Sequence, residues 1–153
     1  MCIHLRLLLL RRKENNMGKR SKGREYALLS LFPYFVTGED CYEVYEFLLE
    51  DREPSEEVKT FSKELIDGVL KNVEELDQVI KDSLTNWSMD RVGNLEKTIL
   101  RIGAYEMKYA PETALSVIIH EANELTDTYS VDESLSFVSG VLNGIAKKLR
   151  PSD

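Results

Sequence analysis

The chain has 153 residues, 42% of them hydrophobic, and a formal net charge of −7; that suffices for one buried core and is too little for two ordinary domains. Neither G-x-G-x-x-G nor G-x-x-x-x-G-K-[ST] occurs, which excludes the usual glycine-rich phosphate cradles of nucleotide-dependent enzymes. Cys2 and Cys41 form no C-x-x-C pair, and His4 and His120 are too far apart to suggest zinc, so no disulfide framework, metal or cofactor is expected and a reducing, cytoplasmic setting fits.

Residues 1–16 hold the apolar run Leu5-Arg6-Leu7-Leu8-Leu9-Leu10. It is too short to span a membrane, is interrupted by Arg6, is followed by Arg11-Arg12-Lys13 and lacks a small-residue cleavage pattern. A disordered extension over 1–16 is expected, with the folded domain over 17–153. From Lys19 onward the apolar residues recur at helical period and no period-2 strand is evident.

The first helix presents Leu28, Leu31, Phe32 and Phe35 on one face and should stop near Thr37-Gly38, with a kink or irregular turn at Pro33, which lacks an N–H. A short helix around Tyr42–Glu50 follows. Ser55 then caps a third, whose first-turn acids Glu56 and Glu57 suit the helix dipole and whose stripe is Val58, Phe61, Leu65 and Val69. Val73, Leu76, Ile80 and Leu84 mark a fourth, and Trp87–Gly93 reads as a connection.

Three more helices are expected over about Leu95–Tyr109, Thr113–Tyr129 and Asp132–Leu149. Leu95, Ile99, Leu100, Ile102 and Met107 make the first of these apolar on several sides, and therefore central, with Gly103 leaving room for a neighbour. Pro111 precedes the next, and Ser130-Val131-Asp132-Glu133 has capping-box spacing for the last. The expected architecture is an all-α, compact helical bundle of about seven helices, in two small subgroups divided near Trp87 and sharing one core.

Charge is segregated along this bundle. Residues 1–36 carry eight basic side chains against Glu14 and Glu25, a local +6, while the remainder carries twelve basic and twenty-five acidic residues, −13. A basic arm on an acidic body can hold phosphates locally, although a solvated tail has the same composition. Arg101 and Glu121 lie among apolar neighbours, and the cost of burying them would be offset if they formed, or contributed to, a partly buried ion-pair network, or avoided if both tips reached water. Neither has a second carboxylate or nucleophile placed with it, so no catalytic residue is expected. Phe137 sits at the margin of the stripe Val138, Val141, Leu142, Ile145 and Leu149, and Tyr129 ends the preceding helix. Each has two readings, first as an edge of the core and second as a ring on which unpaired bases stack.

The segments Leu95-Glu96-Lys97-Thr98-Ile99-Leu100-Arg101-Ile102-Gly103-Ala104-Tyr105-Glu106-Met107, Val117-Ile118-Ile119-His120-Glu121-Ala122-Asn123-Glu124-Leu125 and Phe137-Val138-Ser139-Gly140-Val141-Leu142-Asn143 resemble the NusB family, over almost all of Met17–Ser152. Lys22-Gly23-Arg24-Glu25-Tyr26-Ala27-Leu28 is similar to that family's arginine-rich entry to its first helix. The resemblance implies a transcription antitermination factor that binds boxA RNA of ribosomal RNA leader transcripts together with the ribosomal protein NusE, within the antitermination complex with RNA polymerase. It implies RNA contacts from Lys19, Arg20, Lys22 and Arg24, with Tyr129 and Phe137 as further members, NusE contacts from Phe32 and Glu96, and homodimers in some bacteria. Ser139 departs from the usual Asn, Gly23 from the usual Ala, and Pro33 interrupts the first helix.

Two other functions compete. A similar domain forms the amino-terminal part of some ribosomal RNA cytosine methyltransferases, but no methyl-donor-binding α/β unit follows before Asp153 and neither cysteine lies in a catalytic motif. A purely protein–protein helical adaptor, its basic arm merely solvated, is the other.

Overall fold

The computed structural model describes residues 18–86, 88–131 and 133–153, so the extension expected over 1–16 lies outside the described residues. Among the described residues there are seven α-helices and no strand: α1 (Lys19–Thr37), α2 (Cys41–Arg52), α3 (Glu56–Lys71), α4 (Val73–Asp82), α5 (Asn94–Tyr109), α6 (Leu115–Tyr129) and α7 (Ser134–Leu149), with a 3-10 turn at Met89–Arg91 before α5.

The boundaries have local causes. Gly38 ends α1 at φ 77°, a left-handed conformation that costs glycine little, and its N–H donates to the Tyr34 carbonyl at 2.9 Å. Asp40 caps α2 by accepting from the Tyr42 N–H at 2.9 Å, and Ser55 caps α3 through the Val58 N–H at 3.4 Å. α1 runs through Pro33 as continuous helix, so of the two expectations there the irregular turn is not the one adopted. The lost donor falls close to the end of the helix, Leu29 and Leu31 in the preceding turn are fully buried, and the Thr37 hydroxyl donates to the Pro33 carbonyl at 2.9 Å. The capping box also fails: no side chain caps α7, because the Ser130 hydroxyl donates to Glu96 on α5 instead.

α5 is the centre, packing against α1, α3, α4, α6 and α7. Its Ile99, Leu100, Ile102, Ala104 and Met107 join one continuous core with Leu28, Leu65, Ile80, Leu125 and Leu142. Each fully buried aliphatic side chain of this kind stabilises by about 1.5–3 kcal/mol before the entropy of ordering is counted. A Cβ at Gly103 would stand 2.9 Å from a Leu142 methyl, so a larger residue there would make that side chain shift where α5 meets α7. The division into subgroups falls earlier than expected. α4 packs mainly on α5, and to a lesser and equal extent on α3 and α7, so it groups with α5 to α7 rather than with α1 to α3. Proximity in sequence to α3 was outweighed by the apolar stripe Leu76 and Ile80, which faces the second group's core.

Arg150, just past α7, closes the carboxyl end of α5. Its guanidinium donates to the carbonyls of Met107 at 2.9 Å, Ala110 at 2.8 Å, Thr113 at 2.6 Å and Glu106 at 3.2 Å. A cation there partners the Met107 carbonyl at the open end of the helix and carbonyls of the turn that follows, and matches the negative end of the helix dipole. Arg150→Ala is expected to lower stability by about 2 kcal/mol in urea titration. Arg150→Lys should recover only part of it, because an ammonium lacks the planar fork.

Candidate nucleic-acid interface

The four cations expected to meet RNA lie within the first six residues of α1, yet the helix separates them. Lys19 and Arg20 are exposed and Lys22 is half-buried. Lys19 stands 3.4 Å from Glu57 with both side chains more than half exposed, a pair of the kind that adds little stability and exchanges readily for another anion. Lys19 and Lys22 line a cleft of about 570 Å³ with Tyr26, Arg52 and Ser55. The Arg20 guanidinium lies over the Phe61 ring, 3.7 Å from its centroid.

Arg24 does not join them. It is 3% exposed, and its Nε and Nη2 donate to the two carboxylate oxygens of Glu106, 2% exposed, at 2.8 Å each. The reason is position: Arg24 lies in the buried run that opens at Gly23 and continues through Ala27 and Leu28, where α1 meets α5. Burial without a partner would be costly, and the bidentate carboxylate supplies one. Tyr129 is likewise not a marginal ring. It is fully buried, and its hydroxyl donates to Glu25 Oε2 at 2.9 Å while Arg52 donates to Glu25 Oε1 at 3.1 Å. Arg24 and Tyr129, expected at the RNA surface, are thus both buried and engaged with carboxylates inside the fold.

Arg101 and Glu121 do not pair. Arg101 makes a two-pronged contact with Asp77 of α4, at 2.6 and 3.0 Å, and its guanidinium carbon lies 4.1 Å from the centroid of Phe35; Glu121 accepts from the Ser21 hydroxyl at 2.8 Å. Each charge found a nearer partner on a different helix, Arg101 toward α4 and Glu121 toward α1.

Glu96 and Phe137 come together. Both line a cleft of about 370 Å³ with Arg91, Val92, Gly93, Glu133 and Ser134. Glu96 is held there by two hydroxyls, those of Ser130 and Ser134, the latter at 3.0 Å. Phe137 is half-buried and packs on the core from its edge. Phe32 is also half-buried against the core, on α1. A chain of contacts thus runs from the amino end of α1, through Glu25 and Tyr129 at the end of α6, to Ser130, Glu96 and the Phe137 cleft.

Sequence reasoning missed Glu25, Arg52, Asp77, Glu106, Ser130 and Ser134. Their partners lie 24 to 104 residues away, and no periodicity signals such pairs. Buried Cys41 offers no nucleophile, since burial, with Asp40 and Asp67 adding, pushes its thiol up to about 12. Among the described residues no group of His, Cys, Asp and Glu is arranged to hold a metal ion, and no helix is long and apolar enough to cross a membrane.

Known proteins resemble this chain in sequence and fold. The transcription antitermination protein NusB of Bacillus subtilis is 37% identical over 134 residues, covering 88% of this chain and 99% of its own. The structure of T. maritima NusB superimposes with a TM-score of 0.77 at 28% identity, over 84% of this chain and 91% of that one. A chain from the crystal structure of antitermination factors NusB and NusE in complex with dsRNA does so with a TM-score of 0.78 at 27% identity, over 85% and 97%. The model of the NusB family matches residues 21–147, which takes in the basic turn of α1 from Ser21, the central α5 and the Phe137 cleft alike, and the chain belongs to that family.

Proposed function

We propose that this protein is a transcription antitermination factor that binds boxA-type RNA of ribosomal RNA leader transcripts together with the ribosomal protein NusE, in the cytoplasm and by binding alone, without a chemical step. The observation that carries the proposal is the placement of Lys19, Arg20 and Lys22 at the surface of one helix turn on a body that is otherwise strongly acidic. Phosphates are drawn to that turn and repelled elsewhere, which orients the strand. Phe137, at the edge of its cleft, supplies an aromatic face for an unpaired base. Glu96 in the same cleft, and Phe32 on α1, serve NusE. The working unit is residues 17–153.

The solved relative with NusE holds dsRNA, whereas exposed bases are what Phe137 would use, so the test includes both forms. Titrations of single- and double-stranded boxA RNA, with and without NusE, at two salt concentrations are expected to give tightest binding for the mixture with single-stranded RNA. Three phosphate contacts correspond to a log–log salt slope of about −2 for a single strand. A mixture that binds RNA no better than NusE alone would make the protein a protein–protein adaptor.

A further inference from the structure

We propose that Phe61 is a positioning residue for RNA binding, its ring holding the Arg20 guanidinium in place at the surface for a phosphate; this rests on the function proposed above. The geometry begins with Gly23. A Cβ there would lie 2.6 Å from Cδ2 of Phe61, so the ring sits against bare α1 backbone in a notch that a larger residue would fill. The ring is 4% exposed and has little freedom to move. On its other neighbours, Arg24 stands 5.2 Å from the ring centroid and is itself fixed by both oxygens of Glu106.

Against this anchored ring the exposed Arg20 places its guanidinium carbon 3.7 Å from the centroid. A guanidinium stacked on a ring engages it through its face and keeps its in-plane N–H edge for other partners, and that edge is what a phosphate meets with two parallel hydrogen bonds. A free surface arginine loses rotamer freedom when it grips a phosphate; one already stacked has less to lose. Lys19 and Lys22 have no comparable support, so Arg20 becomes the best ordered of the three contacts.

The test uses the full chain with NusE and a boxA RNA oligonucleotide, measuring affinity and salt slope while circular dichroism monitors folding. Arg20→Ala is expected to weaken binding and make the slope shallower by about 0.7–0.9. Arg20→Lys keeps the charge without the planar stack, and is expected to keep the slope but weaken binding about two- to fivefold. Phe61→Leu should match Arg20→Lys, and should add nothing in the Arg20→Ala background. Wild-type affinity for Arg20→Lys, or an equal loss from Phe61→Leu in both backgrounds, would overturn the inference. Should Phe61→Leu fail to fold, Arg20→Lys decides alone. Failure of the unsubstituted protein to bind RNA would instead sink the function on which the inference rests.

Discussion

Arg24→Ala is expected to cost about 3–5 kcal/mol of folding stability while leaving the salt slope of RNA binding unchanged under conditions where the variant is still folded. The substitution strands the Glu106 carboxylate, 2% exposed, beside a cavity with neither of its 2.8 Å donors. Glu106→Ala should be as harmful for the mirror reason, since it leaves a guanidinium buried and unmatched. Replacing both together, Arg24→Met with Glu106→Leu, should regain most of the loss, because a buried ion pair is favourable chiefly relative to its broken halves. Urea titrations of the four proteins decide the matter. A single-substitution loss below about 1 kcal/mol would mean the pair behaves as a surface contact and that Arg24 is available to phosphate after all.

Tyr129→Ala should be comparably severe, at about 3–5 kcal/mol, since it empties a fully buried aromatic site and removes a hydroxyl from Glu25. Tyr129→Phe separates the two contributions. It keeps the ring and deletes only the hydrogen bond to a carboxylate, for which about 1.5–3 kcal/mol is expected. A base-stacking Tyr129 would behave otherwise, because Phe stacks as well as Tyr and its substitution would leave stability untouched. Thermal or urea unfolding of Tyr129→Phe, beside its RNA affinity, therefore distinguishes a residue that holds α6 to α1 from one that touches RNA.

The apolar pattern made the helices legible. Val58, Phe61, Leu65 and Val69 recur at three and four, and all four are buried on α3; Ser55 and Gly38 mark ends where they were expected. The central place of α5 also followed from its composition, because a helix apolar on several sides has nowhere else to go. What escaped was partner choice. Ser130 has the spacing of a capping box, but Glu96 on another helix accepts its hydroxyl, and local spacing carries no information about a carboxylate 34 residues away. Arg24 reads as part of a basic arm because it follows Lys19, Arg20 and Lys22 in the chain; one turn further along, the helix has already entered the core. Arg101 and Glu121 were both recognisable as charges needing partners. Their mutual pairing was only the nearest guess, and tertiary packing gave them Asp77 and Ser21.

Of the candidate site, then, the exposed cations were legible in the sequence, and Glu96 and Phe137 were named separately, Glu96 through the family resemblance alone; the cleft they share and the buried polar network beside it were not legible. That network ties the amino end of α1 to α2, α5 and α6 through Arg24, Glu25, Arg52, Glu106 and Tyr129. It fixes the turn from which Lys19, Arg20 and Lys22 emerge, so stability and binding are served by adjacent residues on one helix.

The division of labour along α1 is tested most directly by the salt dependence of boxA RNA binding, with NusE present, for the triple variant Lys19→Ala, Arg20→Ala, Lys22→Ala. The expected result is a slope shallower by about 2, with melting temperature close to that of the unsubstituted protein. An unchanged slope would show that the phosphates are held elsewhere and contradict the account.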